Sequence, residues 1–291
     1  MDTPRRGRPD RKPLRSKSGE SASFKLPKAT NPDALSWPMR LNKYVAASGI
    51  CARRAAGDLV KLGKVKVNGV VEPNPAVLVS QTDVIEYEGK VVRPTEKFVY
   101  ILLNKPKNYL CTSSDDRGRH SVLELIRDVG KERLYSVGRL DRNTTGLLIL
   151  TNDGDLTQRL AHPKNQVSKT YLIELERNVT EKDMQRISEG LELEDGKAQV
   201  DGVAWLDPEK RNQVWIELHS GKNRIVRRIF ETLGYEVIRL DRIGYAGLTK
   251  KDLPRGRYRH LTDREVIMLR HFTGRSKGLD MGEQKKESDP N

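Results

Sequence analysis

An α+β fold is what this sequence predicts: a small basic N-terminal domain, then a mixed or antiparallel sheet with helices packed on it. Three features carry that expectation. Two short segments with helical apolar spacing precede two strand-like segments that turn at Asn68-Gly69 and Glu88-Gly89. Beyond Phe98, strand-like runs outnumber helical ones, so strands must often follow one another directly rather than through crossover helices. Between these two textures "RPTEK" (93–97) sets Pro94 among charges, as a linker does.

Residues 1–38 are rich in Pro, Ser, Lys and Arg and lack apolar periodicity. They cannot bury enough surface to offset ordering entropy and are expected to form a disordered basic arm. Residues 39–95 make the small domain. Its helices are "RLNKYVAASG" and "ARRAAGDLVKLG", each ending at a glycine suited to a helix C-terminus; its strands are "KVKVNGVV" and "DVIEYEGKVV". Residues 98–272 make the second domain. Its strands are expected at "FVYILLNKP", "RLYSVGRL", "GLLILTND", "KTYLIELE", "AQVDGVAWL", "QVWIELHSG" and "YEVIRLDRIGYAGL". Its helices are expected at "LTQRLAHP", "TEKDMQRISEGLEL" and "NRIVRRIFETLG". Residues 273–291 return to polar character and are expected to be a disordered tail. No repeat of fixed period runs through the chain.

Composition narrows the function. No apolar run approaches the roughly 18 residues of a membrane-spanning helix, and the first residues lack the apolar centre of a secretory signal. A cytoplasmic location is expected. Cys51 and Cys111 lie far apart without CxxC or paired-histidine spacing, which supports neither a disulfide framework nor a metal site. A formal net charge of +14 attracts polyanions, nucleic acid first among them. The same charge is also compatible with a merely solvated basic surface.

The second helix of the small domain opens with Arg53 and Arg54 and closes with Lys61, and Lys43 lies on the helix before it. Cations at a helix start forgo the favourable dipole interaction, so they invite an anionic partner unless they simply face solvent. The stretch "RLNKYVAASGICARRAAGDLVKLGKVKVNG" resembles the RNA-binding module named after small-subunit ribosomal protein S-four. That resemblance implies that Lys43, Arg53 and Arg54 contact RNA phosphates, which position a protein without reading sequence, and Lys61 is added as a further RNA contact from the end of the second helix.

Asp141 lies between Arg139 and Arg142 in a polar turn ahead of an apolar strand. An aspartate there is ordinarily a turn or capping residue. The segment "GRLDRNTTGLLILTNDGDL", however, resembles the catalytic motif of the pseudouridine synthases in the ribosomal RsuA/RluB-type branch. The match continues in register through "NKP" (104–106), "KTYLIEL" from Lys169, "GKNRIVRRIFETLGYEV" from Gly221 and "RLDRIGYAGL" from Arg239. The family's reaction breaks the bond from ribose to uracil N1 and rejoins the base through carbon 5, so no cofactor is implied. It needs a carboxylate beside the sugar, as nucleophile or as base, and the resemblance gives that role to Asp141. Tyr171 would stack on the flipped uracil, and Arg227 would keep Asp141 charged in a water-poor pocket. Helical periodicity permits Arg227 without choosing it over Arg228. Arg142, Lys169, Arg224 and Arg228 are added as RNA contacts, and Leu240 and Arg242 as pocket wall. Ile225 stands where relatives often carry Gln.

The implied function is isomerisation of one uridine in ribosomal RNA, the large-subunit 23S molecule being favoured by "LEDG" (193–196) and "HPKNQVSKTY". A monomer is expected, because no heptad or exposed apolar stripe is evident. Three alternatives remain at this stage: a 16S synthase, a non-catalytic RNA-binding or ribosome-assembly factor, and a hydrolase pairing Asp141 with Asp153 or Asp155. The "NDGD" run more simply supplies negative charge to a helix start.

Overall fold

The computed structural model describes residues 35–95, 97–112, 117–130 and 132–271. The first 34 residues of the expected arm and the whole expected tail lie outside the described residues. The small domain contains β1 (Met39–Arg40), α1 (Leu41–Ala47), α2 (Arg53–Lys61), β2 (Val65–Val67), β3 (Val70–Val71), β4 (Leu78–Val79), β5 (Ile85–Tyr87) and β6 (Lys90–Val92). Strands order as β3-β2-β5-β6, all antiparallel, and β1 pairs with β4. Leu41, Tyr44 and Val45 from α1 and Ala56 and Val60 from α2 share one face each and bury against Val65 and Ile85. Asn68 and Gly69, like Glu88 and Gly89, all hold positive φ, the conformation a two-residue hairpin turn needs to match strand twist.

The second domain begins with β7 (Tyr100–Lys105), β8 (Tyr135–Ser136), β9 (Thr145–Thr151) and α3 (Gly154–Ala161). Then come β10 (Lys169–Leu175), α4 (Glu181–Glu189), β11 (Gly202–Trp205), β12 (Gln213–Leu218) and α5 (Ile225–Thr232). The last elements are β13 (Val237–Tyr245), β14 (Leu248–Thr249), β15 (Tyr258–His260) and α6 (Asp263–Arg270). The sheet order is β11-β12-β10-β13-β9-β7-β15, with β14 on β13 and β8 on β9. Every pairing is antiparallel except β9 with β13. On one face α4 and α5 pack through Met184, Ile187, Ile229 and Phe230; on the other, α3 and α6 pack through Leu156, Leu160 and Leu269. Both faces of β7 and β9 are therefore covered, which is why "YILL" and "LLIL" read as continuous apolar runs.

Differences from the sequence reading have local causes. "RLYSVGRL" yields only a two-residue strand, because Gly138 takes φ +70° and its carbonyl accepts from Ser136 Oγ, turning the chain toward Asp141. Ala198 bridges Leu191 instead of starting β11, which begins at Gly202. Asp153 caps α3 by accepting from Leu156 N at 2.9 Å and also accepts from Tyr100 Oη at 2.8 Å, so that acid has a structural task. β15 and α6 lie beyond the last strand expected from the sequence, and Thr262 and Glu265 form a capping box at the start of α6.

Candidate active site

The turn carrying Asp141 is built around a buried lysine. Lys105, at the end of β7, is 0% exposed, and its Nζ donates to the carbonyls of Pro106 and Asp141 at 3.1 Å, Arg142 at 3.2 Å and Thr144 at 2.8 Å. Three protons shared among four oxygens pin the whole 141–144 turn against the strand. From the other side, Cys111 Sγ exchanges weak hydrogen bonds with the backbone of Leu140 at 3.4 Å. Burial pushes the Lys105 ammonium down to about 8, against the pull of the Asp141 charge.

Asp141 is thereby presented at the mouth of a cleft of about 210 Å³ walled by Thr144, Lys169, Tyr171, His219, Leu240 and Arg242. A second opening of about 630 Å³ lies along Leu110–Thr112, Arg139–Arg142 and Gly221–Arg224. Three strands bring the wall together: Tyr171 on β10 stands opposite Arg242 on β13, which stands opposite Gly146 on β9. Gly146 is required at that point. Its φ is +107°, and a Cβ there would lie 2.2 Å from the Arg242 carbonyl oxygen.

The structure brings Asp141 and Tyr171 to one cleft, with Leu240 and Arg242 in its wall, but it does not bring Arg227 there. Arg227 projects from α5 and donates Nη1 to the Val237 carbonyl at 3.0 Å. Asp141 itself is exposed and has no ion pair within 4 Å among the described residues, so the enclosed, cation-paired carboxylate expected from the motif is not the arrangement seen. Several expected RNA contacts are already engaged. Lys43 Nζ grips Asp155 at 2.7 and 2.9 Å, Arg228 forks onto Asp195, Arg224 reaches Glu231, and Lys169 Nζ donates to the carbonyls of Val167 and His219. Burial lowers Lys169 to about 8 as well. Arg53, Arg54, Lys61 and Arg142 are exposed and unpaired among the described residues.

Residues 99–232 match the family model described as RNA pseudouridylate synthase, and residues 39–85 match the S4 domain. Ribosomal large subunit pseudouridine synthase B of Bacillus subtilis (strain 168) is 39% identical over 241 residues, which is 82% of this chain and 98% of that protein. The chain belongs to the RNA pseudouridylate synthase family. The protein is thus an isomerase, and RNA is the partner of its S-four domain. A Vibrio cholerae relative called by the same name is 37% identical over 239 residues, 80% of the synthase and 74% of that relative. A crystal structure of a pseudouridylate synthase matches with TM-score 0.57 and 31% identity, over 79% of the synthase and 99% of the matched chain.

Two features of the synthase's cleft escape sequence reasoning. Lys105 lay within the quoted "NKP", and the only further hint was a lone cation ending an apolar strand. The His219–Asp201 contact, Nδ1 to Oδ2 at 2.6 Å, joins residues that no spacing rule connects. Among the described residues no helix is long and apolar enough to cross a membrane, and no three His, Cys, Asp or Glu side chains are grouped to hold a metal ion.

Proposed function

We propose that this synthase isomerises one uridine of the large-subunit ribosomal RNA, the 23S molecule, flipped out of the RNA into the cleft beside Asp141. The observation that carries the reading is the carboxylate held on a turn pinned by Lys105, at the mouth of a cleft walled by Tyr171 and Arg242. Asp141 acts on the sugar as nucleophile or base, and Tyr171 offers a π-face that offsets the stacking a flipped base forfeits. Arg227 is a positioning residue, bracing through Val237 the strand that carries Arg242. Residues 39–95 dock on RNA, with phosphates held by Arg53, Arg54 and Lys61 and, from the catalytic domain of 98–272, by Arg142. The large-subunit assignment is supported by the names of the Bacillus and Vibrio relatives. The work belongs to a monomer in the cytoplasm, and the isomerisation balances without a cofactor.

The test uses ribosomal RNA tritiated at carbon 5 of uracil, as free RNA and as assembling subunits, with parent protein and Asp141→Asn. Release of tritium by the parent alone, mapping to 23S RNA, is the expected result. Release that maps to 16S RNA would move the substrate to the small subunit. No release from any RNA would favour a non-catalytic assembly factor.

A further inference from the structure

Arg242 carries a charge that the fold does not use up. The residue is 3% exposed, yet its hydrogen-bonded commitment is one contact, Nε to the Leu147 carbonyl at 2.8 Å, with its guanidinium 4.4 Å from the centroid of the Tyr245 ring. Nη2 is shielded from solvent and has no hydrogen-bond partner among the described residues. No carboxylate pairs with Arg242 within 4 Å among the described residues. A permanently charged donor buried without an acceptor is costly, so its retention points to an acceptor supplied from outside the chain. Arg242 lines the cleft that Asp141 and Tyr171 share, and Thr144 Oγ1, in the same wall, is a second buried polar atom without a partner among the described residues.

We propose that Arg242 is a further catalytic residue, whose free Nη2 donates to a carbonyl oxygen of the uracil and stabilises the charge the base carries as it leaves the sugar. This rests on the Asp141 cleft being where the uridine reacts. In that step the C1′–N1 bond breaks and its electron pair goes to the ring, which departs as an anion shared among N1, O2 and O4. C1′ is satisfied by bonding to an Asp141 oxygen or by losing the C2′ proton to it. When carbon 5 bonds to C1′ the Asp141 group returns to its starting state, the carbon-5 proton leaves and N1 takes one up. A donor held beforehand by its Nε bond and its stacking on Tyr245 keeps its direction at the moment of cleavage, and because Nη2 is shielded from solvent, entry of the base has to part the cleft wall that covers it. RNA offers phosphates as its other anion. Those stay joined on both sides to a backbone running along the surface, whereas Arg242 is 3% exposed in the wall of the cleft that Tyr171 also lines.

The experiment compares parent, Arg242→Met, Arg242→Lys and Asp141→Asn in single turnover on the same RNA carrying either uridine or 5-fluorouridine at the target. Conversion is read by chromatography after digestion as loss of the starting nucleoside, because a carbon 5 that bears fluorine has no proton to release and its product is not pseudouridine. Fluorine at carbon 5 makes the departing ring anion more stable by itself. Arg242→Met is expected to slow the uridine reaction by about 10²–10³-fold while RNA affinity holds, as for loss of an oxyanion-type donor. Its defect on 5-fluorouridine should be at least about tenfold smaller, and Arg242→Lys, which keeps the charge, should recover part of the loss. Equal defects on both substrates would show a structural role, and a raised Kd with a flatter salt dependence would show a phosphate contact; either overturns the proposal. Should Arg242→Met fail to fold, Arg242→Lys on the two substrates makes the same comparison. An inactive parent would instead overturn the reading of the substrate.

Discussion

Lys105 is buried, charged and ringed by carbonyls, so two measurable properties follow from one side chain. Lys105→Met would leave four acceptors without their donor, at a cost of about 2–4 kcal/mol, and would release the turn that aims Asp141. Urea unfolding and single-turnover rates should fall together. The pH dependence has a definite sign. Burial lowers the folded Lys105 to about 8 from an ordinary 10.5, so below pH 8 both states hold the proton and the folded state bears the whole desolvation cost. Between about pH 8 and 10.5 the unfolded chain binds more protons than the folded one, and stability rises with pH. From pH 7 to pH 10 the parent should therefore gain on Lys105→Met by the order of 1–3 kcal/mol. A gap that stays constant or narrows would mean that Lys105 is not titrating in its buried place.

At the level of strands, the β9–β13 pair is the most exacting contact near the site. Gly146→Ala would force a Cβ onto the Arg242 backbone at a positive φ, so a loss above about 3 kcal/mol is expected in thermal or urea unfolding, together with loss of activity. An active, stable Ala variant would show that this strand pair can separate without harm. The same pair marks how far the sequence could be read. Segments marked by their own spacing or apolar runs were legible: both small-domain helices, the two hairpin turns, and β7 and β9, whose two faces are both covered. Asp141 and Tyr171 were singled out by their motifs, and both line one cleft. What joins distant segments was not legible. Periodicity allowed Arg227 or Arg228 and could say nothing of Val237 or Asp195, which occupy their guanidinium groups. Lys105 and Arg242 act through backbone carbonyls and a neighbouring strand, and such partners have no signature in side-chain type.

For the whole molecule, the contact between α1 and α3 matters most. Lys43 and Ser36 both bond Asp155; burial alone would raise that carboxyl, but the two partners hold it below its usual range. Because the pair is partly exposed, Lys43→Met should change global stability by no more than about 1 kcal/mol. Limited proteolysis should nevertheless cut faster between the S4 match, which ends at residue 85, and the synthase match, which begins at residue 99, and unchanged cleavage would show that other contacts hold the two domains. Replacing Arg53 and Arg54 by Gln should weaken RNA binding and reduce the salt slope by roughly two phosphates while leaving single-turnover chemistry intact; an unchanged slope would remove them from the interface. The parallel strand pair has one last consequence, for the order of events during synthesis. The contacts of the S-four domain lie almost wholly between near neighbours in sequence, whereas Thr145 must find Asp241, 96 positions further on, before the Asp141 turn has its supporting wall. Loop closure on that scale is slow compared with local folding, so a chain emerging from a ribosome acquires its grip on RNA well before it can alter a base.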